Sequence, residues 1–383
     1  MRVLFYCQHV LGMGHLFRAL SICRALAGHE VTLVSGGPGG SASLPGHVRL
    51  FSLPALSMDA EFSGLQTDGG LELEEVKAQR KERLARLVRD FSPDVFLVEL
   101  FPFGRKAFSF ELLPALEVAH GLSRPPLCAS SVRDILVEKS EPSAYEDRVV
   151  RLVNQWFGLV LVHADPRVVR LSETFSREAD FACPVEYTGY VARKPGGTDK
   201  KAVRERFGLL PEDRLVVVSA GGGAVGGALL AAAVDAAPVV NAKQRVYVVV
   251  SAGPYLPEKE YAALADRAGP GVLVRRFVRD FPGLVAAADL SVSMGGYNTC
   301  MDVLAAGVPA LVWPFGRNRE QGLRAEKLAA MGALGVLSDE DLAPKRLAQR
   351  MLSALEAGAE RATVDLSGAE RTARLLERYG GDA

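Results

Sequence analysis

Short runs of β-branched and aliphatic residues recur along the chain, separated by stretches with helical spacing of apolar positions. Four to six apolar residues in a row, too few for a helix and bounded by polar or Gly/Pro residues, fit strands buried on both faces. Strands are therefore predicted at Val3–Tyr6, Glu30–Val34, Val95–Val98, Leu127–Ser130 and Leu159–Val162. A second series is predicted at Val216–Ser219, Val246–Val250, Val272–Arg275, Leu290–Val292 and Ala310–Trp313. Helical periods fill most of the gaps, as at Phe17–Leu26, Leu73–Arg89 and Asn298–Ala306. This alternation implies an α/β fold of parallel, doubly wound sheets with helices on both faces.

The pattern breaks near the middle, where "TGYVARKPGGTDKKAVRERFG", Thr188 to Gly208, brings in Pro, Gly and charge. At 383 residues the chain exceeds a comfortable single core, so two domains are expected, 1–190 and 191–383, with the last helix free to pack back on the first. Both halves open with a strand, a glycine loop and a helix: "VLFYCQHVLGMGHLFRAL" and "LVVVSAGGGAVGGALLAAAV". In such sheets ligands bind at the carboxyl ends of the strands. Ser35 to Gly70, rich in Gly, Ser and Pro, reads as one long irregular segment.

Composition narrows the function classes. Lys plus Arg and Asp plus Glu are both 45, so no global field favours nucleic acid or an anionic membrane. Five scattered cysteines without a CxxC pair point to reduced thiols and a cytoplasmic setting. The longest uncharged run, Leu215 to Val234, divides into strand, glycine loop and helix. No transmembrane segment and no signal peptide are expected.

Two segments carry candidate chemistry. Ala220 to Gly227 has five glycines among eight residues between a strand and a helix, where backbone N–H groups can approach phosphate oxygens; a ligand-free tight turn is the plain alternative. It lacks the Lys-Ser/Thr of a P-loop and the dinucleotide spacing. In "SMGGYNTCMDVLAAGVPALVWPFGRNREQ", Gly295 and Gly296 follow a strand, and Asn298 and Thr299 can cap the next helix. Asp302 sits about one turn in, positioned to accept from a ribose diol or to partner the helix dipole. Glu320 and Gln321 leave the following strand's carboxyl end, where sugar hydroxyls could be read.

This segment resembles the donor-binding region of GT-B glycosyltransferases, most closely the MurG-like group, and also the signature of plant UDP-sugar transferases. "RRFVRDFPGLVAAADLSVS" resembles their base-contacting segment, and "LGMGHLFRAL" their N-terminal glycine loop. "GMGHLFRA" and "ELFPFGR" resemble a bacterial group of predicted glycosyltransferases. The resemblance implies two Rossmann-like domains facing a central cleft and inverting transfer from a nucleoside-diphosphate sugar, UDP foremost. The acceptor would be a small molecule or lipid-linked, the latter allowing peripheral membrane contact. Gly222, Gly223, Gly295, Gly296, Asn298 and Thr299 would hold the diphosphate, and Phe277, Val278 and Phe281 the base. Asp302 would take the ribose, and Glu320 and Gln321 the sugar. Met294 stands where the plant signature has a phosphate-contacting His, and Asp302 where relatives have Glu, a shorter reach. The same fold also hosts nucleotide-sugar hydrolases and epimerases, and a non-catalytic donor-binding subunit is a further reading.

His15 closes the N-terminal glycine loop, and an imidazole titrating near neutrality suits the acceptor's general base, although it could simply cap the next helix. Gly12, Gly14 and His9 are acceptor-side candidates. Asp134 in "SSVRDIL" would orient His15, act as base itself, or pair with a surface cation. "ELFPFGRKAFSFELLP", with Arg105 and Lys106, reads as core packing or as an acceptor-side wall. "KAQRKERLARLVRD" reads as a solvated amphipathic helix. Asp339–Asp341 matches a D-x-D metal pattern, yet its polar loop fits a helix start better, and no His/Cys/Asp cluster has ligand spacing. No metal and no cofactor are expected.

Overall fold

The computed structural model describes residues 1–8, 14–36, 43–58, 64–67, 70–195, 197, 199–316, 319–358 and 363–381. The chain divides into two units, Met1–Val191 with Asp365–Ala383, and Ala192–Val364.

The first unit runs β1 (Arg2–Cys7), α1 (Gly14–Ala25), β2 (Glu30–Ser35), β3 (Val48–Ser52), β4 (Leu56–Met58), β5 (Leu65–Thr67), α2 (Leu73–Phe91), β6 (Val95–Glu99), α3 (Ser109–His120), β7 (Leu127–Arg133), α4 (Pro142–Trp156), β8 (Leu159–His163) and β9 (Val185–Tyr187). Seven strands form one sheet in the order β3-β2-β1-β6-β7-β8-β9, all parallel, while β4 and β5 pair antiparallel. The second unit runs α5 (Lys200–Arg206), β10 (Arg214–Ser219), α6 (Gly227–Asn241), β11 (Val246–Ser251), α7 (Glu258–Arg267), β12 (Val272–Arg275), α8 (Phe281–Ala286), β13 (Leu290–Met294), α9 (Tyr297–Ala306), β14 (Ala310–Trp313), α10 (Arg319–Ala330), β15 (Gly335–Val336) and α11 (Pro344–Ala357). Its six parallel strands are ordered β12-β11-β10-β13-β14-β15. α12 (Gly368–Gly380) belongs to the first unit.

These elements form where the apolar runs require them. Val3 to Cys7, Val95 to Val98 and Val216 to Val218 are fully buried, which only a sheet covered on both faces provides. In each unit the strand order reverses once, between β1 and β6 and between β10 and β13. That reversal opens a crevice at the strands' carboxyl ends. α12 packs Ala369, Ala373, Leu375 and Leu376 into the core cluster that holds Leu16, Ala19 and Leu20 of α1. Gly368 lies so close to Tyr190 that a Cβ would meet its carbonyl carbon and oxygen at 2.6 Å.

Two expectations change. Ser35 to Gly70 is not wholly irregular: β3 extends the sheet and β4 and β5 form a small hairpin, elements too short to stand out in a Gly/Ser-rich stretch. The charged helix α2 is not solvated throughout, because Arg80 is fully buried. Its guanidinium donates to both Glu111 oxygens (2.7 and 2.6 Å), to Gln8 Oε1 (2.7 Å), and to the carbonyls of Gly36 (3.0 Å) and Pro54 (2.6 Å). Tyr6 adds its hydroxyl to Glu111. Burial by itself would disfavour the charge; Glu111 restores it and holds the Arg80 pKa above its ordinary value. Removing one member strands the other charge in a dry site. Arg80→Met should therefore lower the first unit's stability by about 3–5 kcal/mol, read as a shift of its urea transition; an unchanged midpoint would mean that water reaches Glu111.

Candidate active site

In the first unit the reversal between β1 and β6 brings α1 beside the end of β6. α1 begins at Gly14, earlier than the periodicity predicts, so His15 stands in its first turn and Arg18 follows one turn later. β6 ends at Glu99, whose side chain is completely buried. Glu99 Oε1 accepts from Arg18 Nη2 and lies 2.9 Å from His15 Nδ1; Arg18 Nη2 is also 3.2 Å from that nitrogen. Glu99 Oε2 accepts from Ser131 Oγ of β7 at 2.8 Å. Ser131 Oγ lies 2.8 Å from His163 Nε2 of β8, and His163 Nδ1 lies 2.9 Å from Thr188 Oγ1.

The charges in this row follow from the partners. Burial pushes the Glu99 carboxyl up, but Arg18, the His15 hydrogen bond and the two imidazoles together outweigh it and hold it well below the usual carboxylate range. Burial lowers His15 to about 3; the Glu99 hydrogen bond opposes this, while Arg105 and Arg18 add to it. Burial, with Arg18, also lowers His163 to about 3. The expectation of a near-neutral imidazole is thus corrected: His15 is neutral across the physiological range. An ionised Glu99 selects the tautomer with Nδ1–H facing it, which leaves a lone pair on Nε2. The His15 side chain keeps 19% of its surface exposed, as a base acting on a substrate proton requires.

Asp134 is fully buried and accepts from the Ile135 N–H at 2.9 Å. The carboxylate that orients His15 is Glu99. His9 and Gly12 lie outside the described residues. Glu99, Arg18, Ser131 and His163 went unread in the sequence; an acidic residue ending an apolar strand in "ELFPFGR" was the available signal.

In the second unit two glycine turns occupy the reversal between β10 and β13. Gly222 and Gly223 lie between β10 and α6, whose N-terminus has Gly226 before it, no side-chain cap and no acidic residue in the first turn. Those N–H groups and the helix dipole suit an anion. Gly223, at φ +84°, has room for no Cβ: one would overlap Ala252 O and lie 3.1 Å from Gly253 Cα. The second turn leads into α9. Gly296 occupies its cap position without a side-chain bond, so Asn298 and Thr299 fall within the first turn rather than capping it. Arg324, almost fully buried on α10, donates to Gly295 O at 2.9 Å, and a Cβ on Gly295 would sit 3.1 Å from Gln321 O. Gln321 Oε1 accepts from Phe315 N–H at 3.2 Å, and Glu320 precedes it in the first turn of α10.

Asp302 is buried on α9 and engaged by Arg193, whose Nε lies 3.1 Å from each carboxylate oxygen. Burial raises this carboxyl and Arg193 opposes the rise. Arg193 lies at the start of the second unit, in a Pro/Gly-rich, charged stretch where its charge carries no signal in the sequence. Phe277 follows β12 and is 58% exposed; Val278 is half-buried beside it and Phe281, also half-buried, opens α8. Asp339 accepts from Trp313 Nε1 at 2.9 Å and Asp341 from the Ser338 N–H at 2.9 Å, so the D-x-D residues act in a turn. Among the described residues no three His, Cys, Asp or Glu gather as metal ligands would, and no helix is long and apolar enough to cross a membrane.

Residues 216–378 match the glycosyltransferase family 28 C-terminal domain. An uncharacterized glycosyltransferase of Methanopyrus kandleri is 25% identical over 238 residues, 60% of this chain and 65% of that protein. The UDP-N-acetylglucosamine–N-acetylmuramyl-(pentapeptide) pyrophosphoryl-undecaprenol N-acetylglucosamine transferase of Corynebacterium efficiens is 40% identical over 81 residues, 21% of this chain and 22% of that protein. The chain therefore spans under two thirds of the length of the curated relatives it matches. Among solved structures, Acinetobacter baumannii MurG superposes with a TM-score of 0.58 at 15% identity, over 98% of this chain and 99% of that one. The calicheamicin glycosyltransferase gives 0.60 at 18%, over 100% and 94%. The architecture, two Rossmann-like units with parallel sheets, is that of the GT-B glycosyltransferases. The likeness to the family 28 C-terminal domain covers under half of the chain, from β10 into α12.

The depressed imidazoles carry a pH consequence. In the window between about 3 and the ~6.5 of an unfolded histidine, the folded state binds fewer protons than the unfolded one. Stability from His15 and His163 is thus complete above pH ~6.5 and is lost as pH falls toward 3. The melting temperature should drop by roughly 5 °C or more from pH 7 to pH 4.5, and by less in His15→Asn. Equal drops in both proteins would show that His15 is not held neutral.

Proposed function

We propose that the protein is a glycosyltransferase that moves a sugar from a nucleoside diphosphate, UDP foremost, to an acceptor hydroxyl with inversion at the anomeric carbon. The observation that carries this reading is the buried Glu99 holding a neutral, part-exposed His15 at the strand reversal of the first unit. The family 28 match in the second unit supports the donor side, and the Corynebacterium efficiens relative, named for a UDP-sugar transfer, supports UDP. In this mechanism the acceptor O–H gives its proton to His15 Nε2 while its oxygen attacks the anomeric carbon. The bond from that carbon to the β-phosphate oxygen breaks, and the diphosphate leaves with the electron pair. Glu99 stabilises the imidazolium so formed. N–H groups at the starts of α6 and α9, behind Gly222, Gly223, Gly295 and Gly296, with Asn298 and Thr299, receive the leaving charge.

Phe277, Val278 and Phe281 are assigned to the base, and Glu320 and Gln321 to the sugar. Asp302 remains the proposed ribose acceptor, on condition that the diol replaces part of its contact with Arg193. All five cysteines are free thiols, which fits a cytoplasmic setting.

His15→Ala should reduce turnover by about 10²–10⁴ while UDP affinity stays near wild type. Collapse of UDP affinity in a folded variant would make His15 a donor ligand instead. Full-rate release of UDP without any acceptor would mark a hydrolase.

The leaving charge is assigned to backbone N–H groups, so activity should survive EDTA. Loss on chelation with rescue by Mg²⁺ or Mn²⁺ would show a cation at the diphosphate.

A further inference from the structure

Arg105 is a guanidinium whose environment the transfer mechanism leaves unused. It follows β6 in "ELFPFGR" and holds φ +58°, a left-handed conformation that a side chain bearing a Cβ adopts only at a cost. Leu100, at the start of the same turn, is left-handed as well, at φ +63°. Two strained non-glycine residues within six positions, beside the candidate base, are the kind of outlier that accompanies a ligand site.

Its hydrogen bonding is incomplete. Arg105 is half-buried, and its Nε is sealed from water with no hydrogen-bond partner. Among the described residues no carboxylate forms an ion pair with it. The buried carboxylates Glu99 and Glu111 are already engaged. Glu99 serves Arg18, His15 and Ser131, and Glu111 serves Arg80 and Tyr6. Arg105 meanwhile acts electrostatically on His15, Cys7 and Tyr6, which places it at the carboxyl ends of the same strands. Glu99 attracts Arg105 across this space, and Arg133, ending β7, repels it more weakly. A buried donor left unmade favours an acceptor from outside the chain.

We propose that Arg105 is the anion-binding residue of the acceptor subsite, taking a phosphate or carboxylate carried by the acceptor next to the hydroxyl that His15 deprotonates. This rests on the reading of the first unit as the acceptor side. Such an anion supplies the acceptor that Nε lacks. A guanidinium's fork suits a two-oxygen anion better than an ammonium does.

The test follows the ring ¹⁵N signals of His15 while inorganic phosphate or acetate is added at constant ionic strength, with saturating UDP present and again without it. Wild type should show saturable shifts with at least one anion; the tighter one identifies the acceptor's group. Arg105→Asn, chosen because Asn tolerates left-handed φ, should bind about 10-fold more weakly or not at all, and Arg105→Lys in between. Equal affinity in wild type and Arg105→Asn, or no saturable shift in wild type, overturns the proposal. A loss of UDP affinity in Arg105→Asn also overturns it, since Arg105 would then serve the donor. Failure of UDP to bind wild type would instead remove the transferase reading, and the anion titration without UDP would still decide the role of Arg105.

Discussion

Glu99 is fully buried at the end of a central strand, where an ionised carboxylate survives only if its oxygens are engaged by donors. Arg18, His15 and Ser131 meet that demand, and each is fixed in return. The carboxylate selects the imidazole tautomer, the imidazole gains a lone pair pointing away, and α1 is tied to β6 through its first turn. With Glu99 neutral or absent, buried Arg18 would lose this carboxylate and His15 would lose its orientation. The candidate chemistry of the first unit therefore depends on one charge placed by strand order.

The second unit solves a related problem with backbone rather than charge. Its glycine turns are packed from behind, Gly223 against the loop after β11 and Gly295 against α10. Arg324 holds the Gly295 carbonyl from α10. Gly223 is required by contact and by its left-handed φ, whereas Gly295 is favoured by contact alone. Such turns carry almost no side-chain signature and are recognisable mainly by position.

Much of the fold was legible because parallel strands buried on both faces leave unbroken apolar runs. Each of the ten strands read from those runs is present, most of them longer by a residue or more at one end or both. The missed strands are short or lie at sheet edges, as β3, β9 and β15 do, where exposure dilutes the pattern. The start of α9 was misjudged for a physical reason: Asn298 and Thr299 have capping chemistry, but Gly296 already provides the extended backbone that a cap position needs. Arg80 was read as solvated because its neighbours in sequence are charged; only the fold supplies Glu111.

The sequence by itself determined the strand–helix alternation, the glycine turns at strand ends and the prominence of His15, since these depend on neighbours a few residues away. The tertiary structure decided what His15 faces. Glu99 is 84 residues distant in the chain, and Asp302 meets Arg193 across 109. Such pairings follow from which strands lie side by side and which side chains lose their water. Burial then set the charge states, moving an imidazole expected near neutrality to about 3. Solvation is a property of the assembled core, and no local pattern encodes it.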